Sequence, residues 1–254
     1  MNREYHCWYS PRLEREMELL VFGHAGAKVL AFPTRDGRFY EYENLGIVHA
    51  LADKIGNGHI QLFCVDSIVK DTVYCNSIHP ADRIQRHIQY EEYILNEVMP
   101  LMADMNPHEC TIIMGCSLGA FHAANLAFKH PQLFQKLCAF SGRYDLTLEV
   151  DHFGDLFDRY YDENIYFNTP THFLPQLDCN WRLQHLRKMH IVFAIGKDDP
   201  FLENNRHLSQ ILAQKGIEHD VHEWNGRAHR GSAWRKMVPL YVISYAPYNF
   251  LTIR

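Results

Sequence analysis

One heptapeptide constrains the fold of this 254-residue sequence more than any other, Met114-Gly115-Cys116-Ser117-Leu118-Gly119-Ala120. It follows the apolar run Thr111-Ile112-Ile113-Met114 and precedes an apolar, alanine-rich segment reaching His130, so it predicts a strand, a sharp turn and a helix. The turn carries Gly-x-Ser-x-Gly, the pattern of a nucleophile elbow. A serine there sits in strained backbone and points its hydroxyl out of the sheet. Its neighbours two residues away on either side must be small, because strand and helix nearly touch; Gly115 and Gly119 meet that demand. The helix that follows offers its N-terminal amides to a developing negative charge. The alternative is a glycine-rich connection around an ordinary serine, and the choice turns on whether an acid and a histidine follow in suitable places.

The flanking pattern predicts strands at 5–9, 17–22 and 28–32, the third ending in the breaker Pro33-Thr34-Arg35-Asp36-Gly37-Arg38. A helix is expected over 44–55, a strand over 60–65, a polar excursion over 66–79, and a long helix from Pro80 to about Met102 with Pro100 near its end. Beyond the elbow helix come strands at 134–140, 190–195 and 219–224, a helix at 201–215 and a C-terminal helix from Ser232. Residues 146–180 are crowded with aromatics among prolines and asparagines; they read either as a small cap or lid over the strand ends or as a packed loop. Strands alternating with helices imply an α/β fold, a mostly parallel central sheet with helices on both faces, in one domain.

Composition narrows the function classes. A chain 47% hydrophobic and 22% charged with net charge −5 gives no sign of a nucleic-acid partner. No run approaches a membrane span and the first residues lack the apolar core of a signal peptide. Seven scattered cysteines, odd in number and without a Cys-x-x-Cys pair, point to free thiols, a reducing compartment and a cytoplasmic location. Seventeen histidines invite a metal, but His219 and His222 fall in a predicted strand, where that spacing puts them on opposite faces, and no helical ligand spacing occurs. No metal is expected.

Three residues just past predicted strands appear in the order Ser, Asp, His. Ser117 is the candidate nucleophile, too weak an acid to attack unaided. His229, in the loop after the last strand, can act as its base and then as acid toward the leaving group. Asp199 follows the preceding strand and can hold the imidazole; Asp198 is its rival, with one of the two expected to cap the helix entered through Pro200. His222 is the weaker rival of His229. An oxyanion needs two donors, the amide of Leu118 and an amide from the loop after the third strand, Thr34 or Arg35. Cys116 should face the core.

These residues, with Phe32-Pro33-Thr34, Gly37-Arg38-Phe39, Ser141-Gly142, Gly196-Lys197-Asp198-Asp199-Pro200 and Gly226-Arg227-Ala228-His229, make the chain resemble the putative esterase family of α/β-hydrolases, which includes esterase D-like (S-formylglutathione hydrolase-like) proteins. The resemblance covers nearly the whole chain. It implies a carboxylic ester hydrolase with a Ser117, Asp199, His229 triad, no cofactor, and a small-molecule ester as partner rather than a nucleic acid or a membrane. A homo-oligomer stays open. One departure touches the pocket rim: relatives often follow the histidine with Asp-Trp-Pro, where this chain has Arg230-Gly231-Ser232. An acyltransferase or thioesterase would use the same triad, and a binding protein could keep the fold without the activity.

Overall fold

The computed structural model describes residues 1–243, and their strands are the apolar runs of the sequence. They are β1 (Arg3–Ser10), β2 (Arg15–Phe22), β3 (Ala27–Phe32), β4 (Ile60–Val65), β5 (Thr111–Cys116), β6 (Lys136–Phe140), β7 (His190–Gly196) and β8 (Asp220–Trp224). All residues of β4, β5 and β6 are buried, as expected of strands covered on both faces. β1 alternates exposed and half-buried positions, the pattern of a strand at an edge.

The sheet order is β1-β2-β4-β3-β5-β6-β7-β8. β2 runs antiparallel to β1 and β4, and every pairing from β4 to β8 is parallel. Successive β5 side chains divide between two cores: Ile113 packs on one face, Ile112, Met114 and Cys116 on the other. This is the expected α/β sheet with helical cover. β3 lies between β4 and β5, so the chain reverses its direction of travel across the sheet there. A crevice opens beyond the C-terminal ends of β3 and β5 at such a switch point.

The helices depart from expectation in two places. The single helix expected over 44–55 is instead α1 (Glu41–Asn44), α2 (Ile47–Ala50) and α3 (Ala52–Gly56). Gly46, with φ 71°, breaks the first from the second. The long helix splits into α4 (Pro80–Tyr93), a π turn (Ile94–Val98) and α5 (Met99–Met105). The π turn falls directly ahead of Pro100, whose ring and missing N–H do not fit a regular turn. The elbow helix is α6 (Leu118–Lys129).

Residues 146–180 wind irregularly before and through α7 (Glu163–Phe167) and α8 (Pro170–Phe173). Leu146, Phe157 and Ile165 are fully buried against Val69, Val73, Ile84 and Phe121, so the supposedly polar stretch 66–79 supplies part of a small core. The remaining helices are α9 (Asn180–Leu186), α10 (Leu202–Gln214) and α11 (Gly231–Ile243). Whatever the C-terminal helix does past residue 243 lies outside the described residues. Among those described, no helix is long and apolar enough to cross a membrane.

Candidate active site

Ser117 stands alone between the last residue of β5 and the first of α6, with φ 56° and ψ −120°. A non-glycine residue there carries strain of about 1–3 kcal/mol, which the surroundings must enforce. They do so by close approach. A Cβ on Gly115 would lie 2.0 Å from the Gly119 carbonyl oxygen, and one on Gly119 would lie 2.2 Å from that of Phe32. The Ser117 amide donates to the Phe140 carbonyl at 2.8 Å, tying the turn to β6. Cys116, one residue earlier, is buried on the sheet face, and burial pushes its thiol well above the ordinary range.

The next two strand ends meet backbone to backbone. A Cβ on Gly196 would sit 2.0 Å from the Arg227 carbonyl oxygen, and the Asp198 amide donates to Gly226 at 3.2 Å. This contact brings the loop after β8 over the end of β7. His229 Nδ1 then donates to Asp199 Oδ2 at 2.8 Å, and the Ser117 hydroxyl donates to His229 Nε2 at 2.9 Å. The Asp199 carboxylate is wholly shielded from water, whereas the imidazole keeps 17% of its surface. Asp199 is both the partner of the imidazole and a turn former, since its Oδ1 accepts the Phe201 amide at 3.0 Å. Asp198 is exposed. His222 stacks on Tyr241 with ring centres 4.3 Å apart.

The two candidates for the oxyanion donor from the loop after β3 are not equivalent. The Thr34 amide is spent on Glu41 Oε2 at 2.7 Å, and its hydroxyl on Oε1 at 2.6 Å. Thr34 is therefore corrected: a carboxylate seven residues on occupies its amide. Arg35 is left as the candidate from that loop, and Glu41 acts as the clamp that fixes the loop. On the facing side Leu118 is the first residue of α6, so its amide has no helical acceptor.

These groups open on a cavity of about 490 Å3 whose wall includes Tyr74, Arg143, Phe153, Phe201 and Trp234. In the sequence Ser141-Gly142 counted only toward the family resemblance. Here Trp234 Nε1 donates to the Ser141 hydroxyl at 3.1 Å, and the indole ring lies 5.4 Å from the imidazole. Glu41, Tyr74 and Trp234 carried no local signal, because each reaches the site from a distant element. Among the described residues, no group of three or more His, Cys, Asp or Glu side chains could hold a metal ion.

No curated protein matches the sequence. Solved structures match over nearly all of it. A ferulic acid esterase superimposes with a TM-score of 0.75 at 15% identity, covering 94% of this chain and 96% of that one. An S-formylglutathione hydrolase from Staphylococcus aureus gives 0.70 at 13%, covering 95% of each chain. A CE1 ferulic acid esterase from Anaeromyces mucronatus, in complex with ferulic acid, gives 0.65 at 16%, covering 98% and 89%. At such identities the likeness is one of fold, that of the α/β-hydrolases. The family model described as "Putative esterase" matches residues 42–242, most of the chain. The chain thus belongs to that family and is a carboxylic ester hydrolase.

Proposed function

We propose that the protein cleaves small carboxylic esters through an acyl-enzyme on Ser117. What supports this most is one unbroken relay, the Ser117 hydroxyl on His229 Nε2 at 2.9 Å and His229 Nδ1 on Asp199 at 2.8 Å. The imidazole removes the hydroxyl proton as Oγ attacks the ester carbonyl, and buried Asp199 stabilises the imidazolium that forms. The resulting oxyanion takes hydrogen bonds from the amides of Leu118 and Arg35. Collapse expels the alcohol, which receives its proton from His229. Water, deprotonated by the same imidazole, then releases the acid and restores the serine. The cavity of about 490 Å3 suits a small acyl or aryl ester.

A fluorophosphonate probe tests the activated serine directly. Labelling should occur at Ser117 and vanish in Ser117→Ala, which should also lose hydrolysis of 4-nitrophenyl acetate. Parental turnover by Ser117→Ala would remove the proposal.

A further inference from the structure

The cavity over Ser117 is positively charged in a protein whose net charge is −5. Arg35, Arg143 and Arg227 line it, against the single carboxylate of Asp36, which already pairs with Arg35 at 3.2 Å. Each arginine is placed differently. Arg227 is exposed at the rim, in the loop that carries His229, and has no ion-pair partner among the described residues. The Arg35 guanidinium lies over the Tyr74 ring, 5.2 Å from its centre.

Arg143 is the unusual member. It is 95% shielded from solvent, 5.4 Å from the centre of the Phe201 ring, and built into the wall by its own hydrogen bonds. Its Nε donates to the Asp145 carbonyl at 3.0 Å, and its Nη2 to those of Leu146, Leu148 and Gly154 at 3.1, 2.6 and 2.8 Å. Neutral carbonyls fix the guanidinium without cancelling its charge. Nη1 is buried and makes no well-formed hydrogen bond within the protein, the Tyr74 side chain being the polar group that faces the guanidinium. The neighbouring acids are turned to other donors: Asp145 to His172 and Thr147, Asp155 to the amides of Phe157 and Arg159. Burying a guanidinium with an unused donor is costly, and an arginine does not escape by losing its proton. A wall of this kind is suited to an oxyanion brought by a ligand.

Resting on the acyl-enzyme mechanism above, we infer that the substrate is an ester carrying a second, anionic group, a carboxylate or a phosphate, which sits against Arg143, Arg35 and Arg227 while the ester lies at Ser117. The low-dielectric cleft focuses the field of the three guanidinium groups, so the anion is drawn in as well as held. Recognition of this kind sorts substrates by charge rather than by chain length.

The test uses the full-length protein and matched ester pairs. 4-Nitrophenyl hydrogen glutarate is compared with its neutral methyl ester, 4-acetoxybenzoate with methyl 4-acetoxybenzoate, and 4-acetoxyphenyl phosphate with phenyl acetate. These place a carboxylate on the acyl side, a carboxylate on the alcohol side, and a phosphate. In at least one pair kcat/KM should favour the anion by about tenfold or more at low salt, and added salt should erode the preference. Arg227→Gln should cut that ratio about tenfold, and Arg227→Glu should invert it. Ratios at or below one in all three pairs, with neutral esters turned over and Ser117 labelled by the fluorophosphonate, would overturn the inference and leave the esterase mechanism standing. Absence of both turnover and labelling would remove the mechanism, and the inference with it.

Discussion

Gly119 offers a sharp test, because it is where the elbow touches the loop that carries the proposed second oxyanion donor. A Cβ at this position would lie 2.2 Å from the Phe32 carbonyl oxygen and 2.6 Å from that of Pro33. Ordinary contact begins near 3.4 Å, and the obstructing atoms are backbone, so no side chain can swing aside. Gly119→Ala must therefore push the Phe32-Pro33 backbone away from α6 by about 1 Å, and a misplacement of that size costs catalysis about a hundredfold. Glu41 ties Thr34 to α1, and the Tyr42 hydroxyl donates to the Phe32 carbonyl at 2.9 Å, so the loop moves as a unit with Arg35. The expected result is a folded variant with kcat for 4-nitrophenyl acetate reduced about a hundredfold, KM changed far less, and fluorophosphonate labelling slowed in parallel. Gly56→Ala is the control, since a Cβ there meets nothing within 4 Å. A folded Gly119→Ala enzyme with parental kcat would refute the oxyanion arrangement proposed for Leu118 and Arg35.

Asp199→Asn should lower kcat by on the order of 10^3 to 10^4, while Asp198→Asn stays near the parent; comparable losses in both would mean that the buried carboxylate is not the partner of the imidazole. Acid should destabilise the fold through the polar cluster between α4 and α6. Burial pushes His87 down to about 4 from 6.5 and His122 well below its ordinary value. The unfolded chain then binds more protons than the folded one below pH 6.5, so stability is complete above that pH and falls toward pH 4. Glu91 adds to the loss only below 4.5: burial would raise its carboxyl, but His130, Lys129 and His87 outweigh that and hold it at about 2. Urea unfolding should show stability falling between pH 6.5 and 4.5, by on the order of 2 kcal/mol from His87 alone, with a shallower fall in His87→Gln. An unchanged slope in that variant would exclude His87 as a source.

The order of strands and the position of Ser117 were legible because both are written in contiguous residues. An apolar run, a pair of glycines and an alanine-rich segment need no distant partner to be read. Asp199 and His229 were legible for a related reason, as each lies just past a strand. What failed was whatever depended on a side chain returning from elsewhere. Nothing within 33–38 reveals that Glu41 will occupy the Thr34 amide. Periodicity over 44–55 survives a one-residue break, so it could not show that Gly46 adopts a left-handed conformation. Arg143 lies just past a strand in the sequence, yet the role inferred for it comes from four carbonyls spread over 145–154 that hold its guanidinium and from an Nη1 without a well-formed hydrogen bond. The sequence also suggested that one of the two adjacent aspartates caps the next helix; α10 has no side-chain cap, and Asp199 instead holds both the imidazole and the turn that leads into that helix.

That double duty couples the imidazole to the start of α10. The Phe201 amide rests on Asp199 Oδ1 and the Leu202 amide on the Asp199 carbonyl, both at 3.0 Å, while Oδ2 faces His229. The first turn of this helix cannot fray without loosening the carboxylate that orients the ring. Local opening and loss of the relay become one event, with a free energy that hydrogen exchange at Phe201 and Leu202 can read. The same linkage runs in reverse, so a covalent adduct that locks His229 in place tightens a helix end on the far side of the aspartate.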